Sequence, residues 1–262
     1  MRKPSVIHYL LPLLLLQSLL SFADDVDELM QQSGINQQIE QIEAGISPSL
    51  QEADGELPSA IMQKLEQVML KEFAADNLKL NIRQQLQSHL SRADIKAVMK
   101  WLNSPLGKKI TALEVAQSSE AAYADSSESM DTLLADSERF TLMRELNKAT
   151  GTSDAMLAMT IAMQEAMFYG MKASAKHGEL DDAVVQHMLS MAKQQLQTQM
   201  ELMAVSSLLY TYRDLSVKEI KHYIDFANSP AGKNYHQAFI QALSTAMTKA
   251  GGAVGKALAE SP

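Results

Sequence analysis

The chain has 262 residues, with 31 acidic and 23 basic side chains, no cysteine and 5% aromatic residues. The lack of cysteine excludes disulfides, thiolate metal sites and a cysteine nucleophile. The net charge of −8 argues against a protein that neutralises nucleic-acid phosphates. We therefore expect no nucleic-acid partner.

The N-terminus has the pattern of a secretory signal peptide. Arg2 and Lys3 precede a leucine-rich run at Leu10–Leu20, and Ser21 and Ala23 place small residues at the −3 and −1 positions. The apolar run of about 11 residues is shorter than the roughly 20 that a membrane-spanning helix needs. We therefore predict cleavage after Ala23, export to a bacterial periplasm and a mature chain that does not span the membrane.

Two segments of the chain resemble each other without a gap at an offset of 125 residues. Leu90–Lys108 aligns with Leu215–Lys233, with nine of nineteen positions identical. A weaker similarity relates Leu29–Gly34 to Leu146–Gly151 at an offset of 117. Such internal repetition indicates tandem structural units.

We predict a signal peptide at 1–23 and two helical units, at 24–136 and 137–262. The first unit has 19 acids and 9 bases, whereas the second has 12 of each. The acidic surface of the first unit is typical of a soluble protein, and the alternative is a docking face for a basic partner.

The composition between the repeated segments predicts an all-α fold with about nine helices, four to five in each bundle-like unit. Long stretches rich in Ala, Leu, Gln, Met, Lys and Glu have apolar residues at helical spacing, without alternating strand patterns. We predict breaks at five places. They are residues 45–58, 118–136, 177–178, 213–214 and 251–252.

Each repeated segment has the signals of a helix, an abrupt turn and a second helix. A serine with an acid three residues later can form a capping box. An asparagine is then expected to end this first helix in a left-handed conformation. The next serine caps the second helix, and a proline occupies the first position of that helix. A glycine permits close approach to the preceding helix, and a lysine follows it. These structural-turn residues are Ser91, Asn103, Ser104, Pro105, Gly107, Lys108, Ser216, Asn228, Ser229, Pro230, Gly232 and Lys233.

The chain resembles a bacterial exported family known as domain of unknown function 2059. The resemblance lies in the order Leu-Ser-x-x-acid-Ile, followed by an aromatic residue and then Ser-Pro-x-Gly-Lys. The resemblance covers about 35 residues in each half, near 85–120 and 205–245. It implies an all-helical exported protein with two tandem copies of the family's segment. The family has no assigned activity, so the resemblance assigns no catalytic residue.

Five methionines form a possible binding face. Their spacings of 3, 4, 4 and 4 residues confine them to an arc of roughly 120° on one helix. A core face with methionine as filler is the ordinary interpretation; a pliable groove for a partner and a Cu(I) site are the alternatives. The five residues are Met156, Met159, Met163, Met167 and Met171.

No motif of the sequence identifies a catalytic, cofactor or metal site. The histidines lack the close spacing of zinc ligands. The stretch at 250–257 lacks the first glycine and the final Ser/Thr of a phosphate loop, so we expect a frayed glycine-rich tail there. Ser190 and Lys193 match Ser-x-x-Lys without its companion motifs. Lysines beside the helix start after each turn make anion binding an alternative role for the turns.

The leading hypothesis is therefore a non-catalytic envelope protein that binds an unknown protein or peptide, without a cofactor. One alternative is an envelope hydrolase with a carboxylate and histidine site in the cleft between the units. The other is a periplasmic Cu(I)-binding protein that uses the methionine face. The identity of the partner and the oligomeric state are open at this point.

Overall fold

The computed structural model describes residues 23–52, 59–117, 130–174 and 181–259, and within these ranges the chain forms helices and turns without a strand. The all-α prediction is confirmed. The signal peptide predicted at 1–23 lies outside the described residues except for Ala23. The helices are α1 (residues 23–32), α2 (Ile35–Glu52), α3 (Ser59–Glu72), α4 (Ala75–His89), α5 (Arg92–Leu102), α6 (Pro105–Gln117), α7 (Met130–Ala135), α8 (Ser137–Thr150), α9 (Thr152–Ser174), α10 (Asp182–Thr211), α11 (Val217–Asn228) and α12 (Pro230–Ala259).

We call residues 23–117, which contain α1 to α6, the first half of the chain, and residues 137–259, which contain α8 to α12, the second half. The last helix, α12, packs into the core of the first half. It contacts α3, α4, α5 and α9. Four alanines spaced four residues apart form one buried face of α12, so neighbouring helix axes can approach closely. They are Ala238, Ala242, Ala246 and Ala250. Around them pack first-half residues such as Leu29, Ile82 and Val98, which are all fully buried.

Helix α6, from the first half of the chain, packs in turn against the core of the second half. Its Ile110 is 2% exposed and belongs to a second core cluster with residues of α8, α10 and α11. Met143, Leu209 and Ile220 of that cluster have no exposed surface. Each helix that follows a Ser-Pro turn therefore packs against the other half of the chain, and burial of apolar surface joins the two halves.

Residues at the offset of 125 make equivalent contacts across this junction. Lys109 of α6 donates to Glu219 at 2.8 Å, and its counterpart Asn234 of α12 donates to Asp94 at 3.0 Å. The stacked rings of Trp101 and Phe226 also lie at this offset. The hydrogen bond from α6 to the other half thus has a counterpart in the one from α12.

The prediction of about nine helices was wrong, since the described residues contain twelve. Helix α2 continues through Gly45 and Pro48, because Ile46 and Leu50 bury their side chains in the first core. An additional break at Phe73 separates α3 from α4, where the Asn77 side chain donates to the carbonyl of Lys71. Tertiary packing overrides local propensity at these positions.

The predicted break at Gly251 and Gly252, and the frayed tail there, were also wrong. Helix α12 passes through both glycines, with Ala250 and Val254 buried in the first core. Burial of these side chains offsets the cost of glycine in a helix, which is about 1 kcal/mol per residue. The break at 213–214 is present, whereas that at 177–178 and most of that at 118–136 lie outside the described residues.

Within the described residues, no helix is both long enough and apolar enough to cross a membrane.

Candidate functional site

A cavity of about 340 Å³ lies where the two halves meet. Its walls come from α2, α5, α6, α8, α9, α10, α11 and α12 and from the turns that precede α2 and follow α10. Both helices that cross between the halves contribute to it. The cavity is therefore formed by the packing of the two halves against each other.

Aromatic side chains concentrate around this cavity. The chain contains one Trp, seven Tyr and six Phe, and six of these fourteen residues line the cavity. They are Trp101, Tyr212, Tyr223, Phe226, Tyr235 and Phe239. In a chain with 5% aromatics, this clustering distinguishes the cavity from the other described surfaces.

Several of these rings are fixed by contact with one another. The Trp101 ring stacks on Phe226 with centroids 4.5 Å apart, and on Tyr223 at 6.0 Å. Tyr212 meets Tyr223 edge to face at 5.8 Å. Such offset and edge contacts suit the aromatic quadrupole and favour a single arrangement of the rings.

One carboxylate, that of Glu114 on α6, lines the cavity. Its Oε1 accepts hydrogen bonds from the phenols of Tyr212 at 2.6 Å and Tyr223 at 3.0 Å. Burial raises the pKa of Glu114, and the two phenol hydrogen bonds oppose that rise because they stabilise the charged form. The same burial, together with the Glu114 charge, raises the pKa of both tyrosines.

His236 of α12 is the second titratable group of interest in the cavity wall. Its Nε2 atom is buried and has no hydrogen-bond partner among the described residues. Burial lowers the pKa of His236 to about 4, because desolvation disfavours the imidazolium form. The ring is therefore neutral at pH 7.

The serines of the structural turns lie at helix starts. Ser91 and Ser216 cap α5 and α11, and in each case the acid three residues later completes a capping box. Ser104 and Ser229 accept from the backbone N–H of Gly107 at 3.0 Å and Gly232 at 3.1 Å. The turns orient α6 and α12 and lie at the ends of the cavity-lining helices.

Gly107 and Gly232 occupy positions that exclude a side chain. A Cβ at Gly107 would collide with the carbonyl oxygen of Trp101, and one at Gly232 with that of Phe226. Pro105 and Pro230 are the first residues of α6 and α12, where a missing N–H leaves no helical hydrogen bond unmade. Close packing thus fixes the angle between each pair of consecutive helices.

The left-handed conformation predicted for the asparagines was wrong. Asn103 has φ −78° and ψ −7°, and Asn228 is the last residue of α11. Their side chains instead donate to the carbonyls of Met99 at 3.0 Å and Ile224 at 3.1 Å. The amide satisfies the free helical carbonyl directly, so no left-handed residue is needed.

The lysines of the turns are placed for ion pairing or solvation. Lys108 and Lys233 are exposed, while Lys109 pairs with Glu219 at 2.8 Å. The N–H groups of Gly107 and Gly232 already donate to serine. Lys109 and the two glycine N–H groups, which a bound anion would need as donors, therefore already have partners within the protein.

The described part of the methionine face lies against the core. Met156, Met159 and Met163 are half-buried, and Met159 and Met163 pack on the cluster that contains the alanine face of α12. The side chains of Met167 and Met171 lie outside the described residues. Met156, Met159 and Met163, the three whose side chains are described, are not among the residues that line the cavity.

Sequence reasoning did not identify Glu114, Tyr212, Tyr223 and His236 as members of one site. They lie on α6, near the end of α10, and on α11 and α12, and no short motif connects them. One signal was available: the scarce aromatic residues are concentrated between 210 and 239.

The fold and the cavity define an all-helical protein whose two halves share a polar, aromatic-walled pocket. Residues 76–136 match the family described as "Uncharacterized protein conserved in bacteria (DUF2059)". The family predicted from the sequence is confirmed over this segment, which contains the first turn. Neither a curated protein nor a solved structure matches the chain.

Proposed function

We propose that this chain is an exported, non-catalytic binding protein of the bacterial envelope, built from two copies of one helical unit. Its ligand is a peptide or protein that places a small group in the cavity between the halves. The concentration of six aromatic side chains around that cavity supports the proposal most directly. Aromatic side chains with a few fixed polar groups are typical of ligand pockets.

The volume and composition of the cavity favour binding of a small group. Pockets for small ligands begin at about 300 Å³, and this cavity of about 340 Å³ lies near that lower bound. The chain thus offers room for a side chain or a small molecule, with larger parts of a partner left at the surface.

Export and duplication have separate support. The basic residues, leucine run and small residues before Asp24 are typical of a cleaved signal peptide. The equivalent contacts of Lys109 with Glu219 and of Asn234 with Asp94 favour two related units that pack as a pseudo-dimer.

A thermal-unfolding screen tests the binding proposal. The mature protein, recovered from the periplasm of a bacterial host, is mixed with libraries of short peptides and small metabolites. We expect a subset to raise Tm, because a ligand that binds only the folded state stabilises it. Ala155→Phe, which fills the cavity wall, removes the shift, and Ala112→Phe at an exposed position on α6 keeps it. No shift for any compound, or equal shifts in both variants, contradicts the proposal.

The envelope hydrolase is a second candidate, because Glu114 and His236 line the same cavity between the halves. A neutral histidine has the protonation state of a general base. Under this hypothesis the protein cleaves ester or peptide substrates and His236→Gln lowers kcat at least 100-fold. Equal hydrolysis rates with and without the protein across such substrates exclude it.

A further inference from the structure

We infer that the cavity between the halves binds an organic cation, either an alkylammonium or a quaternary ammonium group. The inference rests on the proposed binding function and specifies the chemistry of the group that enters the cavity. A free amine and the side chain of a peptide lysine share this chemistry, and the experiment below separates these two sources.

The charges around the cavity have one sign. Glu114 contributes a carboxylate, and the described residues that line the cavity include neither lysine nor arginine. His236 adds no charge at neutral pH, since burial holds its pKa at about 4. A cation that enters the cavity therefore meets an acidic group, whose ionised form it favours, and no lysine or arginine among the described lining residues.

The aromatic walls select the kind of cation. A positive group over the face of a Trp, Tyr or Phe ring is attracted by the ring quadrupole. A quaternary ammonium is weakly hydrated and loses less hydration on entry than a small inorganic ion. The methyl or methylene groups of both ligand types also bury apolar surface. Six aromatic residues beside one carboxylate thus match an organic ammonium better than Na⁺ or K⁺.

Glu114 is positioned before any ligand arrives. Tyr212 and Tyr223 both donate to its Oε1 and hold the carboxyl group against the cavity wall. Burying a carboxylate is costly, and an opposite charge in the same cavity offsets part of that cost. A bound ammonium group therefore stabilises the ionised form of Glu114.

His236 is a second polar residue of the cavity wall. Its Nε2 is buried and has no partner among the described residues, so the inference rests on Glu114 and the aromatic walls and not on this nitrogen.

The single tryptophan of the chain makes the test direct, because Trp101 lies in the cavity wall and its fluorescence reports on that site. The mature protein is titrated with choline and with its uncharged isostere 3,3-dimethylbutanol. It is also titrated with butylammonium, butanol, potassium chloride, and the N-acetylated, C-amidated peptides Ala-Lys-Ala and Ala-norleucine-Ala. We expect each organic cation to bind at least tenfold more tightly than its neutral counterpart, and potassium chloride to have no effect below 100 mM. Tighter binding of Ala-Lys-Ala than of butylammonium identifies peptide lysine as the source, and the reverse order identifies a free amine.

The variant Glu114→Gln separates charge from structure, since the amide retains an oxygen that can accept from both tyrosines. It is expected to weaken cation binding at least tenfold and to leave binding of the neutral isosteres within twofold. The exposed variant Glu43→Gln is the matched control and is expected to bind like the original protein. Circular dichroism checks that the variants fold.

Equal affinities for charged and neutral partners of each pair overturn the cation inference and leave the binding proposal standing. Failure of every probe in this titration also overturns it, whereas the library screen with Ala155→Phe decides the binding proposal independently.

Discussion

Trp101 and Phe226 lie face to face across the junction of the two halves, with ring centroids 4.5 Å apart and planes 6° from parallel. They occupy the same position in the two repeated segments, at the offset of 125 residues. Contact between equivalent residues supports the proposed pair of related units, since a two-fold arrangement brings one surface patch against its own copy. The cavity opens beside this stack, so its shape depends on the junction.

The stack predicts energetic coupling between the two halves. In a double-mutant cycle with Trp101→Leu and Phe226→Leu, we expect a coupling of about 0.5–1.5 kcal/mol, the usual range for an aromatic pair. Urea unfolding followed by far-ultraviolet circular dichroism measures it without relying on the substituted tryptophan. Additive effects of the two substitutions would contradict this geometry.

The close approach at the Ser-Pro turns predicts that Gly107→Ala and Gly232→Ala destabilise the protein. Each new methyl group meets a backbone carbonyl, which cannot move as a flexible side chain does. We expect a loss of about 1–3 kcal/mol in the free energy of unfolding for each substitution.

Gly252 provides the matched control for the turn glycines, since it also lies in a helix but no atom lies within 4 Å of a Cβ placed there. Gly252→Ala is expected to stabilise the protein by up to about 1 kcal/mol through helix propensity. If all three alanine variants change stability alike, the collision at the turns is not what distinguishes those glycines.

Burial of His236 predicts a specific acid sensitivity. Its pKa is about 4 in the folded protein against an ordinary 6.5, so the unfolded chain binds the proton more tightly. The stability that the neutral ring provides is complete above pH 6.5 and is lost as the pH falls toward 4. This group alone accounts for a loss of up to ~3 kcal/mol.

Comparison of two histidine variants isolates that contribution from the titration of carboxylates. His236→Gln should show a shallower decrease in unfolding free energy between pH 6.5 and pH 4 than the original protein. His222 is exposed, and His222→Gln should keep the original slope. Identical slopes for both variants would mean that the imidazole of His236 is solvated in the folded state.

Much of the local structure could be predicted from the sequence because its signals act over a few residues. The capping of α5 by Ser91 and of α11 by Ser216 depends on residues within one helical turn. The need for glycine at Gly107 and Gly232 follows from the same short-range geometry. The predicted helix break at Gly251 was wrong, because core contacts with residues distant in sequence outweighed the low helix propensity of glycine.

The cavity could not be predicted in this way, because it depends on how the two halves pack. Glu114 meets Tyr212 and Tyr223, which are about 100 residues away in sequence. Equivalent positions also differ in chemistry, as Glu114 corresponds to Phe239 at the offset of 125. Internal similarity therefore indicates the architecture of the junction without indicating its polar groups.

The Trp101 indole N–H resonance tests most directly whether the cavity between the halves is the binding site. The chain has one tryptophan, so this cross-peak in a ¹⁵N–¹H spectrum is assigned without further work. On titration with the peptide fraction of a periplasmic extract, the peak is expected to shift and saturate in the original protein and in Ala112→Phe, and to stay in place in Ala155→Phe. A stationary Trp101 peak, with shifts confined to exposed residues of α10 such as Val184 and Met188, would show that the ligand binds elsewhere.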